Sequence, residues 1–170
     1  KDEIMDKSRN SLDAKGFINN GTYQGTGQIK GSWTDHGNVK PGKSSGGMLL
    51  GKSSGGMLVD GNYYKEGGTK EIELGGDSDK GRDRLNTEHD FIDVAGDLTI
   101  NGCTLDVSLI DGFELDLGQL FIISKVDGEL TGTYEGLEEG AIVGSFDSVY
   151  GQNGMNLFIS YKAGDGNDIA

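Results

Sequence analysis

Proline and basic residues are scarce in this sequence, and each scarcity excludes a class of protein. The 170 residues include one proline and 31 glycines that follow no three-residue period, which excludes a collagen-like triple helix. There are 15 Lys plus Arg against 28 Asp plus Glu, a formal net charge of -13, so we expect no nucleic-acid partner. No apolar run approaches the roughly 20 residues of a membrane-spanning helix, so no transmembrane segment is expected.

Cysteine is also scarce. The single cysteine, Cys103, cannot form an internal disulfide, so the cysteine count does not identify the redox compartment. Cys103 begins the segment CTLDVSLI, in which apolar residues stand at every second position. We therefore expect a small, buried hydrophobic side chain here rather than a reactive thiol.

The chain begins at Lys1 without a methionine or a recognisable signal peptide. We therefore expect a processed chain or a fragment of a longer protein. Residues 1–15 form a polar N-terminal segment in which Ile4, Met5 and Leu12 stand among charges. One weak amphipathic turn or a frayed terminus fits this segment equally well.

From Gly16 onward, short apolar and β-branched runs alternate with Gly, Asn and Asp, the pattern of strands joined by tight turns. Period-two alternation predicts half-buried strands in TKEIELG, DLTI, CTLDVSLI and MNLFISYK. The run LFIISK is predicted to be covered on both faces. With almost no helical signal, the predicted fold class is all-β.

Two all-β architectures compete. A sandwich or barrel is expected to use more aromatic residues than the 8% found here, whereas a β-solenoid tolerates glycine at every corner and keeps its outer faces polar. We predict a single domain over 16–170. A parallel β-helix or solenoid with rungs at about 16–90 would be followed at about 91–170 by a β-rich cap or small sandwich.

An internal duplication interrupts the first half. GKSSGGML occurs at 42–49 and again at 51–58, which indicates a recent duplication or an error in the recorded sequence. The repeat creates a formal match to the phosphate-binding pattern G-x-x-x-x-G-K-[ST] at 46–53. That pattern requires a helix to begin at the Lys, and SGGMLVDG follows instead, so we interpret the match as a glycine-rich corner.

Calcium is the one cofactor for which the sequence offers candidate ligands. Acids cluster around a glycine turn in DSDKGRD, and GDGNDIA resembles half of a calcium-binding nonapeptide repeat. Interleaved Lys and Arg in the first segment would oppose an ion. The candidate metal ligands are Asp77, Asp79, Asp83, Asp165 and Asp168.

The histidines and paired acids give weaker signals. His36 and His89 have no spacing typical of a metal site, and we expect both in solvent-exposed loops. Glu71 and Glu73 share one face of a predicted strand, where a solvated acidic surface explains them better than acid–base catalysis does. No residue is assigned a catalytic role.

Aromatic residues provide a candidate carbohydrate contact. Trp33, Tyr63 and Tyr64 fall in the rung-like half, and exposed rings on a β surface can stack on sugars. The competing interpretation is that these rings stack within the core.

The order of several segments resembles the recurring unit of a known family. VDGNYYKEGGTKEIELGG is followed by DLTINGCTLDVSLIDGFELDLGQLFIIS, then by LTGTYEGL and LFISYKAGDGNDIA. This succession resembles the autotransporter-passenger-like β-solenoid regions of large secreted bacterial surface proteins. The resemblance implies a parallel β-helix, an extracellular or cell-surface location and a non-catalytic role as a stalk, adhesin or surface-layer component.

Three functions remain open on these grounds. The first is a non-catalytic extracellular structural or adhesion module that associates with itself or with other surface proteins. The second is a carbohydrate-binding module of a larger secreted protein, with glycans as partners. The third is a polysaccharide-cleaving β-helix enzyme, which would need a cleft containing paired acids, or calcium with a basic residue.

Overall fold

The computed structural model describes residues 4–5, 11–13, 16–42 and 54–170, and its regular secondary structure is entirely β-strand. The predicted all-β class is confirmed. The strands in chain order are β1 (Ile4–Met5), β2 (Ser11–Asp13), β3 (Gly16–Asn19), β4 (Thr22–Gly25), β5 (Gln28–Lys30), β6 (Trp33–Asp35), β7 (Asn38–Pro41), β8 (Gly56–Asp60), β9 (Tyr63–Glu66), β10 (Thr69–Leu74), β11 (Phe91–Val94), β12 (Leu98–Asn101), β13 (Thr104–Leu109), β14 (Leu130–Thr131), β15 (Ile142–Ser148) and β16 (Gly151–Phe158).

From β3 to β14, most strands pair in parallel with the strand three places earlier in the chain. Sheet 1 has the order β1-β4-β7-β10-β13, sheet 2 the order β5-β8-β11, and sheet 3 the order β2-β3-β6-β9-β12-β14. All neighbours are parallel except β1 on β4 and β2 on β3. The chain therefore visits the three sheets in turn, and most visits add one strand beside the previous one.

The corners between sheets 3 and 1 bring successive backbones into direct contact. Asn38 donates its N–H to Gly21 O at 2.8 Å, and Thr104 donates to Gly68 O at 3.0 Å. A Cβ atom at Gly68 would collide with the carbonyl of Gly37, and one at Gly37 would collide with that of Gly21. Glycine is needed at these corners because stacked turns approach too closely for a side chain.

In-register side chains form columns inside the three sheets. The ring of Trp33 stacks on that of Tyr63 with centroids 4.5 Å apart and planes at 7°. The column of sheet 3 is Phe17, Trp33, Tyr63 and Leu98; that of sheet 2 is Ile29, Val59, Val94 and Val126; and that of sheet 1 is Tyr23, Val39, Lys70 and Leu105. Burial of these columns forms the core.

Both ends of the parallel sheets carry antiparallel strands. At the beginning, β1 and β2 lie against the first parallel strands of sheets 1 and 3. The parts of 1–15 that the structure describes are thus strands rather than a helical turn. At the other end, β15 and β16 form an antiparallel hairpin. Parallel pairing extends to β14 at Thr131.

Two expectations for individual segments have separate outcomes. The alternation predicted in DLTI is confirmed, since Leu98 and Ile100 are buried. The run LFIISK is not covered on both faces, because Leu120 is 59% exposed while Phe121 and Ile123 are buried.

The phosphate-loop match at 46–53 and most of the first GKSSGGML copy lie outside the described residues. Within the described ranges, no helix is long and apolar enough to cross a membrane.

Candidate functional site

An apolar cavity of about 610 Å³ lies between sheet 1 and the terminal hairpin. Its wall combines the inward faces of β10 and β13, the connection at 115–123 and the inner side of β16. Most of its lining is aliphatic, contributed by Ile72, Leu74, Leu105, Val107, Leu115, Leu117, Leu120, Ile123, Val143, Leu157 and Ile159. This volume falls within the roughly 300–1,000 Å³ of ligand-binding clefts.

The cavity exists because β13 is the last strand of its sheet. Ile72 of β10 is in register with Val107 of β13, and Leu74 with Leu109. The two β10 side chains are fully buried, whereas those of β13 are only half-buried. The hairpin covers the inward face of β13 without forming a further strand of sheet 1, and the incomplete cover leaves the cavity.

Large apolar side chains rim the mouth of the cavity. The exposed fractions are 75% for Leu117, 59% for Leu120, 60% for Tyr150 and 61% for Phe158. Clustered exposed apolar residues around a concave surface are typical of an interaction site. We call these four residues the apolar rim.

One carboxylate stands at the rim. Asp116 Oδ1 accepts hydrogen bonds from Tyr150 Oη at 2.8 Å and from Leu117 N at 2.7 Å. The Tyr150 bond, followed by the Leu117 bond, holds the pKa of Asp116 below its usual value. The same contact raises the pKa of Tyr150. At neutral pH the rim therefore presents a fixed negative charge beside a neutral phenol.

The predicted calcium ligands are used for other contacts. Asp79 accepts from Gly81 N at 2.9 Å and faces Arg82, while Asp83 accepts from Leu85 N at 3.0 Å. Asp168 is buried and accepts from Val126 N at 2.8 Å.

Asp77 and Asp165 are exposed. Among the described residues, no group of three or more His, Cys, Asp or Glu side chains converges as metal ligands do. The carboxylates of Asp79, Asp83 and Asp168 accept hydrogen bonds from backbone N–H groups, which is a structural role. Turns held in this way have the same turn-rich local sequence as a calcium loop.

The predicted carbohydrate contacts do not form a surface. Trp33 and Tyr63 are 0% and 1% exposed and stack on each other, so neither ring is accessible to a sugar. This corrects the assignment of these two residues. Tyr64 is half-buried beside Asn62, whose Nδ2 donates to its hydroxyl at 3.2 Å. Strand alternation accounts for the difference, because Tyr63 points into the core and Tyr64 points away from it.

One histidine and one glutamate are more buried than expected. His36 is exposed and lies 3.6 Å from Glu66, but His89 is buried, and burial lowers the pKa of its imidazole. Glu73 is buried as well, and its Oε1 accepts from Lys40 Nζ at 2.8 Å. Glu73 and His89 lie outside the lining of the cavity.

A buried carboxylate joins three parts of the chain near Glu73. Asp90 accepts from Gly55 N at 2.7 Å and from Glu73 N at 3.0 Å. Burial raises the pKa of Asp90 well above its usual value, against the effect of the two hydrogen bonds. Asp90 thus fixes a corner rather than offering a proton to solvent.

Two buried lysines are absent from the sequence-based candidates. Lys65 forms an ion pair with Asp35, and Lys70 donates to Ser124 Oγ at 2.7 Å and to Ile123 O at 3.2 Å. The signal for Lys70 was present in the sequence, since the alternation that places Ile72 inward also places Lys70 inward.

Comparisons with protein-family models, curated proteins and solved structures gave no significant match. The resemblance to autotransporter-passenger-like regions therefore stays a hypothesis.

Proposed function

We propose that this chain is a parallel β-helix module with a non-catalytic structural or adhesion role outside the cell. The observation that carries the proposal is the column of Phe17, Trp33, Tyr63 and Leu98, which stays in register across four parallel strands of sheet 3. A column of this kind is expected when a chain coils and adds one strand to each face per turn. Residues beyond those that one turn of the coil needs lie in the connections between strands, such as 75–90 between β10 and β11.

A buried polar network that links neighbouring strands supports a structural role. Asp35, Lys65, Tyr63 and Asn19 form a connected set of hydrogen bonds between neighbouring strands. By contrast, Asp116 carries the one side-chain carboxylate in the described lining of the cavity. Glycoside hydrolysis by the usual route needs two facing carboxylates, so the cavity favours binding over cleavage.

The location outside the cell rests on the family resemblance and is tested separately. An antibody against residues 54–170 should detect the protein in the medium or on intact cells of its source. Protease added to those intact cells should remove the signal. A signal confined to the cytoplasm and resistant to external protease would contradict the proposed location.

Self-association is the part of the proposal that concerns assembly. A net charge of -13 opposes lateral packing unless cations screen it, and β1 and β2 already pair with the first parallel strands of sheets 1 and 3. We expect any assembly to appear in sedimentation equilibrium only with added calcium or high salt. A monomer under all these conditions would exclude self-assembly and leave association with other surface molecules.

A further inference from the structure

The apolar surface at the cavity extends beyond the cavity itself. Leu117, Leu120, Tyr150 and Phe158 present their side chains at the mouth, where a small molecule filling the interior would leave them in water. A partner that covers this rim as well as the cavity must be larger than a small ligand. A central pocket surrounded by apolar contacts is the arrangement of a protein interface.

A strand edge also borders the cavity. Thr104 and Ile110 donate their N–H groups to Gly68 O and Leu74 O, on the side of β10. Because N–H groups alternate between the two sides of a strand, those of Leu105, Val107 and Leu109 point to the outer edge of β13. No strand of the described residues pairs with that edge in sheet 1. Side chains of the same strand, Leu105 and Val107, line the cavity.

The charge of the chain segment that includes β13 and the terminal hairpin indicates the sign of the partner. Residues 104–159 contain one basic residue, Lys125, and no arginine. The acids in this range are Asp106, Asp111, Glu114, Asp116, Asp127, Glu129, Glu135, Glu138, Glu139 and Asp147, and all of them are exposed. A second copy of this chain, with the same acidic charge, is repelled, whereas a basic partner is attracted.

We propose that β13 and the apolar rim bind an extended segment of another protein that has aliphatic residues at alternate positions and Lys or Arg between them. The segment adds to the outer edge of β13 as a further strand. Its aliphatic side chains enter the cavity over Leu105 and Val107, and its basic side chains lie on the opposite face of β13, beside the exposed Asp106. Main-chain hydrogen bonds and alternate side-chain pockets are the two sources of affinity in this mode of binding.

Synthetic peptides of about ten residues test the proposal directly. The probe alternates Val or Leu with Lys or Thr. One control replaces each Lys with Glu, and the other keeps the composition but places the apolar residues in one block. Calorimetry with the 170-residue chain should show binding of the probe and at least about tenfold weaker binding of both controls. Equal binding of the probe and either control, or no binding of the probe, would overturn the proposal.

Substitutions in the protein test the position of the site. Leu117→Asp and Phe158→Asp change exposed rim residues, so the fold should tolerate both. Leu85→Asp is the matched control, because Leu85 is 62% exposed and lies outside the cavity lining. We expect at least about tenfold weaker binding for the rim variants and less than about twofold change for the control. Equal effects at the rim and at Leu85 would overturn the assignment.

The main-chain contact is tested by a pair of variants at one position. Val107→Pro and Val107→Ala each remove at least one γ-methyl group of valine, but only proline removes the outward N–H. Binding should fall further in Val107→Pro, with both variants shown to be folded by circular dichroism. Equal binding by the two would exclude strand addition at β13.

Sedimentation equilibrium separates a foreign segment from a second copy. If the free protein dimerises, and Leu117→Asp abolishes the dimer, the occupant is another copy of this chain and the proposal is wrong. A protein that remains monomeric and binds the probe supports it. These outcomes are independent of the cell-location test, so the two proposals can fail separately.

Discussion

Lys65 and Asp35 form an ion pair inside the three sheets, with Nζ 3.0 Å from Oδ2 and side chains 1% and 0% exposed. Lys65 also donates to Gly67 O at 2.7 Å, and Asp35 accepts from Asn19 Nδ2 at 2.7 Å and Tyr63 Oη at 3.0 Å. Burial raises the pKa of Asp35, while Lys65 acts in the opposite direction. The pair links neighbouring strands in a part of the core where buried polar side chains are satisfied by one another and by backbone carbonyls.

Lys65→Met should destabilise the protein by about 3–5 kcal/mol at neutral pH, because it leaves the Asp35 carboxylate buried without its cation. The loss should shrink as the pH falls, since protonation of Asp35 removes the unpaired charge. Urea denaturation of wild type and variant measures both effects. The double variant Asp35→Asn with Lys65→Met should lose less than the two single variants combined. A loss below about 1 kcal/mol for Lys65→Met would contradict this role.

The free energy of unfolding should rise with pH because of Lys70, whereas a lysine in a favourable ion pair would make it fall. Burial lowers the pKa of Lys70 from 10.5 to about 7. Between these values the unfolded chain binds a proton that the folded chain does not, so stability from this group rises with pH. Lys70→Met should remove that rise and increase stability below pH 7 by up to about 5 kcal/mol, less the loss of the Ser124 contact. Lys30→Met, at an exposed lysine, is the control.

Denaturant midpoints measured at several pH values check this prediction. The difference in the free energy of unfolding between Lys70→Met and wild type should be largest at and below pH 7 and should disappear toward pH 10.5. A difference that is constant across this range would mean that Lys70 is not buried as a neutral amine.

The packing of the corner glycines predicts a matched pair of substitutions. Gly68 and Gly102 have φ angles of +64° and +59°, so alanine is strained at both. Only at Gly68 would the added Cβ also collide with the backbone of Gly37. Gly102→Ala should cost about 1–2 kcal/mol, and Gly68→Ala clearly more. Thermal denaturation gives the comparison, and equal costs would argue against stacked corners.

Cys103 should react only when the protein opens. The side chain is fully buried, and burial raises the pKa of its thiol to about 11. Labelling with a thiol reagent should therefore be slow in buffer and should accelerate through the urea transition. Rapid labelling of the native protein would place Cys103 at the surface and contradict its position in the buried core.

The sequence predicted those features that depend on local alternation. Ile72, Leu98 and Ile100 are inward because their neighbours at every second position set the face of the strand. The same rule applied to Lys70 and Tyr63 predicts their burial, although lysine is a residue type found mostly at the surface and Tyr63 was also a candidate carbohydrate contact. Alternation predicted burial better than residue type did, because a side chain in a column is covered by the strands on either side.

The features that depend on distant parts of the chain were not predictable from local pattern. Glu73 is buried near the corner that Asp90 joins through Gly55 N and Glu73 N, and the cavity forms because the hairpin incompletely covers β13. The aspartates near residue 80 illustrate a further limit. A calcium loop and a turn held by carboxylates bonded to backbone N–H groups have the same local composition, and only the positions of the oxygens distinguish them.

The most direct test of the proposed parallel β-helix is a cross-strand disulfide. Thr69 of β10 and Thr104 of β13 are in register, with their hydroxyl oxygens 2.9 Å apart on the exposed face. In a Cys103→Ala background, Thr69→Cys with Thr104→Cys should oxidise completely without loss of β structure, as judged by mass spectrometry and circular dichroism. Thr69→Cys with Ser108→Cys is the control, because parallel pairing separates these residues by about 13 Å along the strand. A disulfide in the control pair and none in the Thr69–Thr104 pair would contradict the proposed parallel β-helix.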